Sequence, residues 1–288
     1  MTEQSLFEPE WISPPGSTIL RILDRERIPV ADFAWELGLP ETEVDALCTG
    51  RLAINEPLAA RLEKVLGVPA DFWLVREAQF RADSKKLAER IPAADAKVWL
   101  RSLPTKDMKA FGWIEAQDSS VAEVAEYLRF FDVSSVTHYE HRVNSLVNRT
   151  KFRTSASFKS DANSLSAWLR FGEIQAQAID CENWDSDKLV RLLPSMRKLT
   201  LLRNPQVFLP RLRQLCASAG VALVVARAPK GCRASGATMF VSDKRAVLML
   251  SFRHLSDDHF WFSFFHECGH LILHPHNLLI VEGETEEG

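Results

Sequence analysis

The chain has 288 residues, 46% of them hydrophobic and 25% charged, which are globular values and exclude a disordered or fibrous protein. No run approaches the ~18 consecutive apolar residues that span a bilayer, and the acidic start MTEQSLFEPEW has neither basic leader nor apolar h-region, so a cytoplasmic protein with no membrane partner is expected. Five scattered cysteines without a CxxC pair argue for free thiols rather than a disulfide framework.

The formal net charge of -3 is unevenly spread. Residues 17–81 carry 8 Lys+Arg against 11 Asp+Glu, whereas residues 138–213 carry 13 against 7. We read the basic region as a solvated helical surface first, and as a nucleic-acid or acidic-partner contact second.

After Pro14-Pro15-Gly16, apolar spacing and stop signals predict five short helices: Ser17–Glu26, Val30–Leu37 ending at Gly38, Glu41–Cys48 closed by Gly50, Glu56–Leu66 ending at Gly67, and one from about Ala70. Two short helices joined through a glycine make a helix-turn-helix unit. The segments Phe33–Leu39, Thr49-Gly50-Arg51, Leu58–Gly67, Phe72-Trp73-Leu74 and Glu77–Arg81 resemble the Xre/Cro-CI helix-turn-helix domain in its HigA-like antitoxin form. That resemblance implies a domain over residues 1–81 that forms a homodimer and binds operator DNA. The sequence departs from the family at the start of the recognition helix, which reads Pro40-Glu41-Thr42-Glu43 and then Asp45. Carboxylates repel phosphate, so Thr42, Thr49 and Arg51 are the remaining DNA-binding candidates, with Arg51 directed at backbone rather than base. The alternative is a dimerisation or partner-docking module.

Residues 82–149 are charged and helix-prone and are read as a helical connector, with Asp118-Ser119-Ser120 capping the run before Phe131. From about Lys151 three further helices are predicted, in which Trp168, Leu169 and Ile174 are core residues. Three strands follow, Val221–Ala226, Ala237–Ser242 and Ala246–Ser251, with a hairpin link at Asp243-Lys244-Arg245. Ser256 and two aspartates then introduce a long helix from Asp257 to Leu273.

That helix carries His266-Glu267-Cys268-Gly269-His270, an HExxH signature within an apolar run. Residues four apart share a helix face, so His266 and His270 can reach one Zn²⁺ while Glu267 serves as the catalytic general base. Cys268 points to the opposite side and is read as a core residue. A catalytic zinc takes three protein ligands, and the third is open among Glu282, Glu284 and His274. His274 lies about 12 Å from His266 along the helix axis, too far for one ion unless the helix breaks at Pro275.

The expected fold class is therefore α+β, mostly α. It comprises a five-helix N-terminal domain, a connector, and over residues 150–288 a zincin-like domain with a small antiparallel sheet and the HExxH helix. Gly236-Ala237-Thr238, Leu255–Ser263 and Phe265–His274 are similar to the ImmA/IrrE family of zinc peptidases. Membership would imply a Zn²⁺-dependent cytoplasmic endopeptidase that cuts a repressor or other regulatory protein. It would also place the third ligand on a later helix within E-x-x-A-N-x-F-A, before which this chain stops at Gly288, so a truncated chain or a degenerate site is expected. The alternative function is a non-catalytic DNA-binding regulator or antitoxin-like protein whose zincin-like domain binds a partner or senses a signal.

Overall fold

The computed structural model describes residues 12–152, 161–251, 257–274 and 279–283, without the side chains of residues 41, 42, 149–152, 257 and 258. In chain order the elements are α1 (Pro15–Glu26), α2 (Val30–Leu37), α3 (Glu41–Cys48), α4 (Glu56–Leu66), α5 (Ala70–Glu89), α6 (Ala93–Ser102), α7 (Thr105–Ala110), α8 (Ser120–Phe131), α9 (Val136–Arg149), β1 (Thr150–Phe152), α10 (Ala162–Ala178), α11 (Ser186–Leu199), α12 (Pro205–Ser218), β2 (Val221–Val225), β3 (Ala234–Ser242), β4 (Arg245–Leu250), α13 (Asp257–Leu273) and β5 (Leu279–Gly283). The fold is α+β and mostly helical. Among the described residues no helix is long and apolar enough to cross a membrane.

Two compact units divide the chain, one comprising Met1–Arg101 with Ile114–His141 and the other Ser102–Trp113 with Arg142–Gly288. Residues 82–149 are helical and contribute to both units, and α5 runs on to Glu89. In the first unit the helix ends follow local chemistry. Gly38 takes the left-handed conformation (φ 68°) that terminates α2, and the Asn55 side chain accepts from the Leu58 amide at 3.0 Å to start α4. The apolar faces of α1 to α5 then close on one core containing Ile19, Leu23, Phe33, Leu37, Val44, Leu47, Leu58, Leu62 and Trp73.

The second unit is built on a five-stranded sheet in the order β1-β5-β3-β4-β2. The sheet is mixed, which corrects the antiparallel expectation: β3 is antiparallel to β4 and β5, while β2 runs parallel to β4 and β1 parallel to β5. The reason is topological. The two-residue turn Asp243-Lys244 forces β3 and β4 into a hairpin, and β2 reaches β3 only by a crossover past β4, which leaves it parallel to its neighbour. β5 was not anticipated at all. The Ser256 cap expected for α13 lies outside the described residues.

Alternation along the strands sorts the two faces. Val221, Leu223, Ala246, Leu248 and Leu250 share a core with Trp261, Phe264, Cys268 and Leu271 of α13, and with Leu189, Met196, Phe208 and Leu212 of α11 and α12. The opposite face carries Met249 against Gly172 of α10, and Trp168 Nε1 donates to the Ala226 carbonyl at 3.2 Å. Both faces of the parallel β2–β4 pair are thus covered, as its continuous burial requires.

Candidate metal centre

α13 is apolar on nearly every side and lies against the sheet, with Trp261, Phe264, Cys268 and Leu271 as its buried anchors. This packing fixes the helix's rotation and aims His266 and His270 toward the β3–β5 end of the sheet. Their Nε2 atoms are 3.1 Å apart. Glu282 on β5 completes a triangle, its Oε1 lying 3.0 Å from His270 Nε2 and 3.3 Å from His266 Nε2. Three donors each about 2.0–2.1 Å from a tetrahedral centre stand about 3.3 Å from one another, so the spacing matches one small cation.

Glu282, one of three candidate third ligands, is therefore the one whose oxygen converges with the imidazoles. His274 stacks on the His270 ring at 5.3 Å between centroids and is not part of the converging group. Glu284 lies outside the described residues. The Glu282 carboxylate that converges with the imidazoles sits on strand β5.

Glu267 lies beside this triangle, only 1% exposed, and its Oε2 accepts no hydrogen bond among the described residues. Burial foremost, and the Glu282 charge after it, push its carboxyl well above the ordinary range. Burial lowers the pKa of His270, partly offset by its hydrogen bond to Glu282, which favours the neutral imidazole that a metal ligand must be. Two neighbouring carboxylates, one with an orphaned buried oxygen, and two converging imidazoles form an arrangement that a divalent cation would satisfy. The two imidazoles and the carboxylate could hold one metal ion, and their donor set is of the kind zinc takes.

Among the described residues one side of the centre is open. The His266 side chain is 41% exposed, and Phe262, itself 72% exposed, stacks on it one turn earlier at 5.8 Å. A side chain added at Gly269 would meet nothing within 4 Å among the described residues. Cys268, by contrast, is fully buried, as expected for a core residue, and burial raises its thiol pKa strongly.

The three DNA-binding candidates fall differently. Thr49 Oγ1 donates to the Asp45 carbonyl at 2.8 Å and accepts from Arg51 Nε at 3.1 Å, and the Arg51 guanidinium pairs with the buried Asp45 carboxylate. Thr49 and Arg51 are brought together, but as an internal cluster. The Thr42 side chain lies outside the described residues.

Gly236, which the sequence analysis did not place in the site, also belongs to this neighbourhood, since it opposes Glu282 across the β3–β5 ladder. The strand expected over Ala237–Ser242 begins earlier, at Ala234, which puts Gly236 inside β3, where a glycine marks a bulge or a close approach. No protein-family model, curated protein or solved structure matches the chain.

Proposed function

We propose that the chain is a zinc metallo-endopeptidase of zincin type, cytoplasmic, acting on a regulatory protein, with an Xre-like N-terminal module. The supporting observation is the convergence of His266 Nε2, His270 Nε2 and Glu282 Oε1 beside a buried Glu267 whose Oε2 has no hydrogen-bond partner among the described residues. HExxH alone supplies two donors, and β5 supplies the third that a catalytic zinc needs.

Bound zinc would supply Lewis acidity toward the scissile carbonyl and lower the pKa of a coordinated water to about 7. His266 and His270 hold neutral Nε2 donors on one helix face, and Glu282 adds an anionic oxygen. Glu267 is the residue to which we assign acceptance of the attacking water's proton and its return to the departing amine nitrogen. The open Phe262–His266 side gives a polypeptide access, while the sheet and the core of α13 exclude solvent behind the site.

For the first unit we propose protein docking or homodimerisation in preference to operator recognition. Asp45 engages the guanidinium that would otherwise reach phosphate, and α2 and α3 together carry Asp32, Glu36, Glu41, Glu43 and Asp45 with no Lys or Arg. A gel shift against the gene's own promoter at two salt concentrations tests this; a salt-dependent shift would restore the DNA-binding reading.

The peptidase reading is tested by metal analysis of the purified chain together with cleavage assays on Glu267→Gln. About one zinc per chain, and cleavage lost on that substitution with zinc retained, is the expected outcome. Zinc-free protein, or cleavage indifferent to Glu267, would refute it.

A further inference from the structure

Gly236 occupies the point of β3 where the two carboxylates of the centre meet the sheet. Its ladder partners are Glu282 on β5 and Leu250 on β4. Residues paired across a ladder present their side chains to the same face, so position 236 faces the side on which Glu282 meets the α13 histidines. A Cβ at position 236 would stand 2.2 Å from Glu267 Oε1, 2.7 Å from its Cδ and 2.8 Å from its Cγ. These distances lie far inside the ~3.5–4.0 Å of favourable contact. The Glu267 carboxyl therefore occupies the volume that any other residue's side chain would take.

Backbone conformation gives no competing reason for a glycine here. The positive-φ glycines are Gly38, Gly50, Gly67, Gly112, Gly220 and Gly231, and Gly236 is not among them. The β3–β5 register also shifts between Ala234 and Gly236, where Ser235 Oγ donates to the Glu282 carbonyl at 3.3 Å. Bulges beside active sites re-aim side chains, and this one immediately precedes the residue opposite Glu282.

We propose that Gly236 is a positioning residue: the space left by its absent side chain is the seat of the Glu267 carboxyl, and the adjoining bulge sets Glu282 against the histidines. This rests on the reading of Glu267 as the general base. Among the described residues Glu267 is located by packing against this backbone position rather than by a hydrogen bond to Oε2.

The test places Gly236→Ala in the wild-type and Glu267→Ala backgrounds of the full-length, zinc-loaded chain. Bound zinc per chain, thermal midpoint, and kcat and KM on a dye-labelled casein probe are measured. In the wild-type background kcat should fall on the order of 10²-fold, the penalty of an ångström-scale displacement, with KM and zinc content retained and the midpoint lowered. In the Glu267→Ala background the same change should leave the midpoint unchanged or raise it, because the carboxyl no longer fills that space. An equal fall of the midpoint in both backgrounds, or an unaltered kcat for Gly236→Ala, overturns the proposal. Should Gly236→Ala alone fail to fold, folding of the double variant supports the seat and failure of the double variant overturns it. If the wild type binds no zinc and leaves casein intact, the peptidase reading falls, while the paired midpoints still decide whether Gly236 seats Glu267.

Discussion

His270 Nε2 and Glu282 Oε1 lie 3.0 Å apart, joining the HExxH helix to a strand that follows it in the chain. His266 Nε2 is 3.3 Å from the same oxygen, so Glu282 bridges both imidazoles. Removing this carboxylate leaves two candidate ligands on one helix. Glu282→Ala should weaken zinc binding by more than about 100-fold, above the 10–100-fold loss typical of partners outside the coordination shell. His274→Ala, which deletes a stacked neighbour rather than a donor, should lose less. Chelator competition on the two variants checks the order, and equal losses would argue against Glu282 as a ligand.

The elements that could be read locally were read with little error. α2, α3 and α4 span the residues expected from Gly38, Gly50 and Gly67, because a left-handed glycine or a neighbouring turn ends a helix wherever it falls. The same holds for α13, whose apolar run sets its length. Features that depend on distant pairing were not legible. Nothing in Val221–Val225 says that its neighbour is β4 in parallel rather than β3. The apolar run before Glu282 has strand character, yet only the β3–β5 register brings that carboxylate to the histidines. Arg51 shows the reverse case. The helix-turn-helix resemblance made it a candidate contact to DNA backbone, and the inward turn of Asp45 on α3 pairs it with a buried carboxylate instead.

Trp35 on α2 is 86% exposed, with Asp32 and Glu36 beside it on the same helix. An exposed side chain outside the core changes stability by no more than about 0.5 kcal/mol when replaced. Trp35→Ala should therefore melt like the wild type. Thermal denaturation checks this, and any loss of dimerisation or partner binding in the same variant then reports a docking contact rather than a folding defect.

Cys48 is 4% exposed in the first unit's core, and burial, reinforced by the Asp45 charge, pushes its thiol from 9.0 up to about 12. Because the folded pKa is raised, the unfolded chain gives up this proton first. Stability from the group is therefore complete below about pH 9 and is lost as pH rises toward 12, amounting to about 4 kcal/mol at that limit. Urea unfolding at pH 7, 8, 9, 10 and 11 should show stability falling above pH 9. Cys48→Ala should flatten that slope, whatever its cavity costs at neutral pH; an unchanged slope would show that other groups govern alkaline unfolding.

Arg51 tests whether the first unit uses its cations for structure or for a ligand. Asp45 is 2% exposed and the Arg51 side chain 19%, so the pair is largely desolvated, and Arg51 Nε also donates to Thr49 Oγ1. Removing one member of a buried pair strands the other's charge and costs about 3–5 kcal/mol. Partial exposure of the arginine places the expected loss for Arg51→Ala near the lower end, at about 3 kcal/mol. Replacing both Asp45 and Arg51 by apolar residues of similar volume should recover most of that loss, since the buried carboxylate is then removed with its cation. An arginine reserved for phosphate would behave otherwise, with its removal weakening DNA binding and leaving stability within about 0.5 kcal/mol. Urea denaturation of the single and double variants separates the two cases, and a loss below that level for Arg51→Ala would return the residue to the surface role.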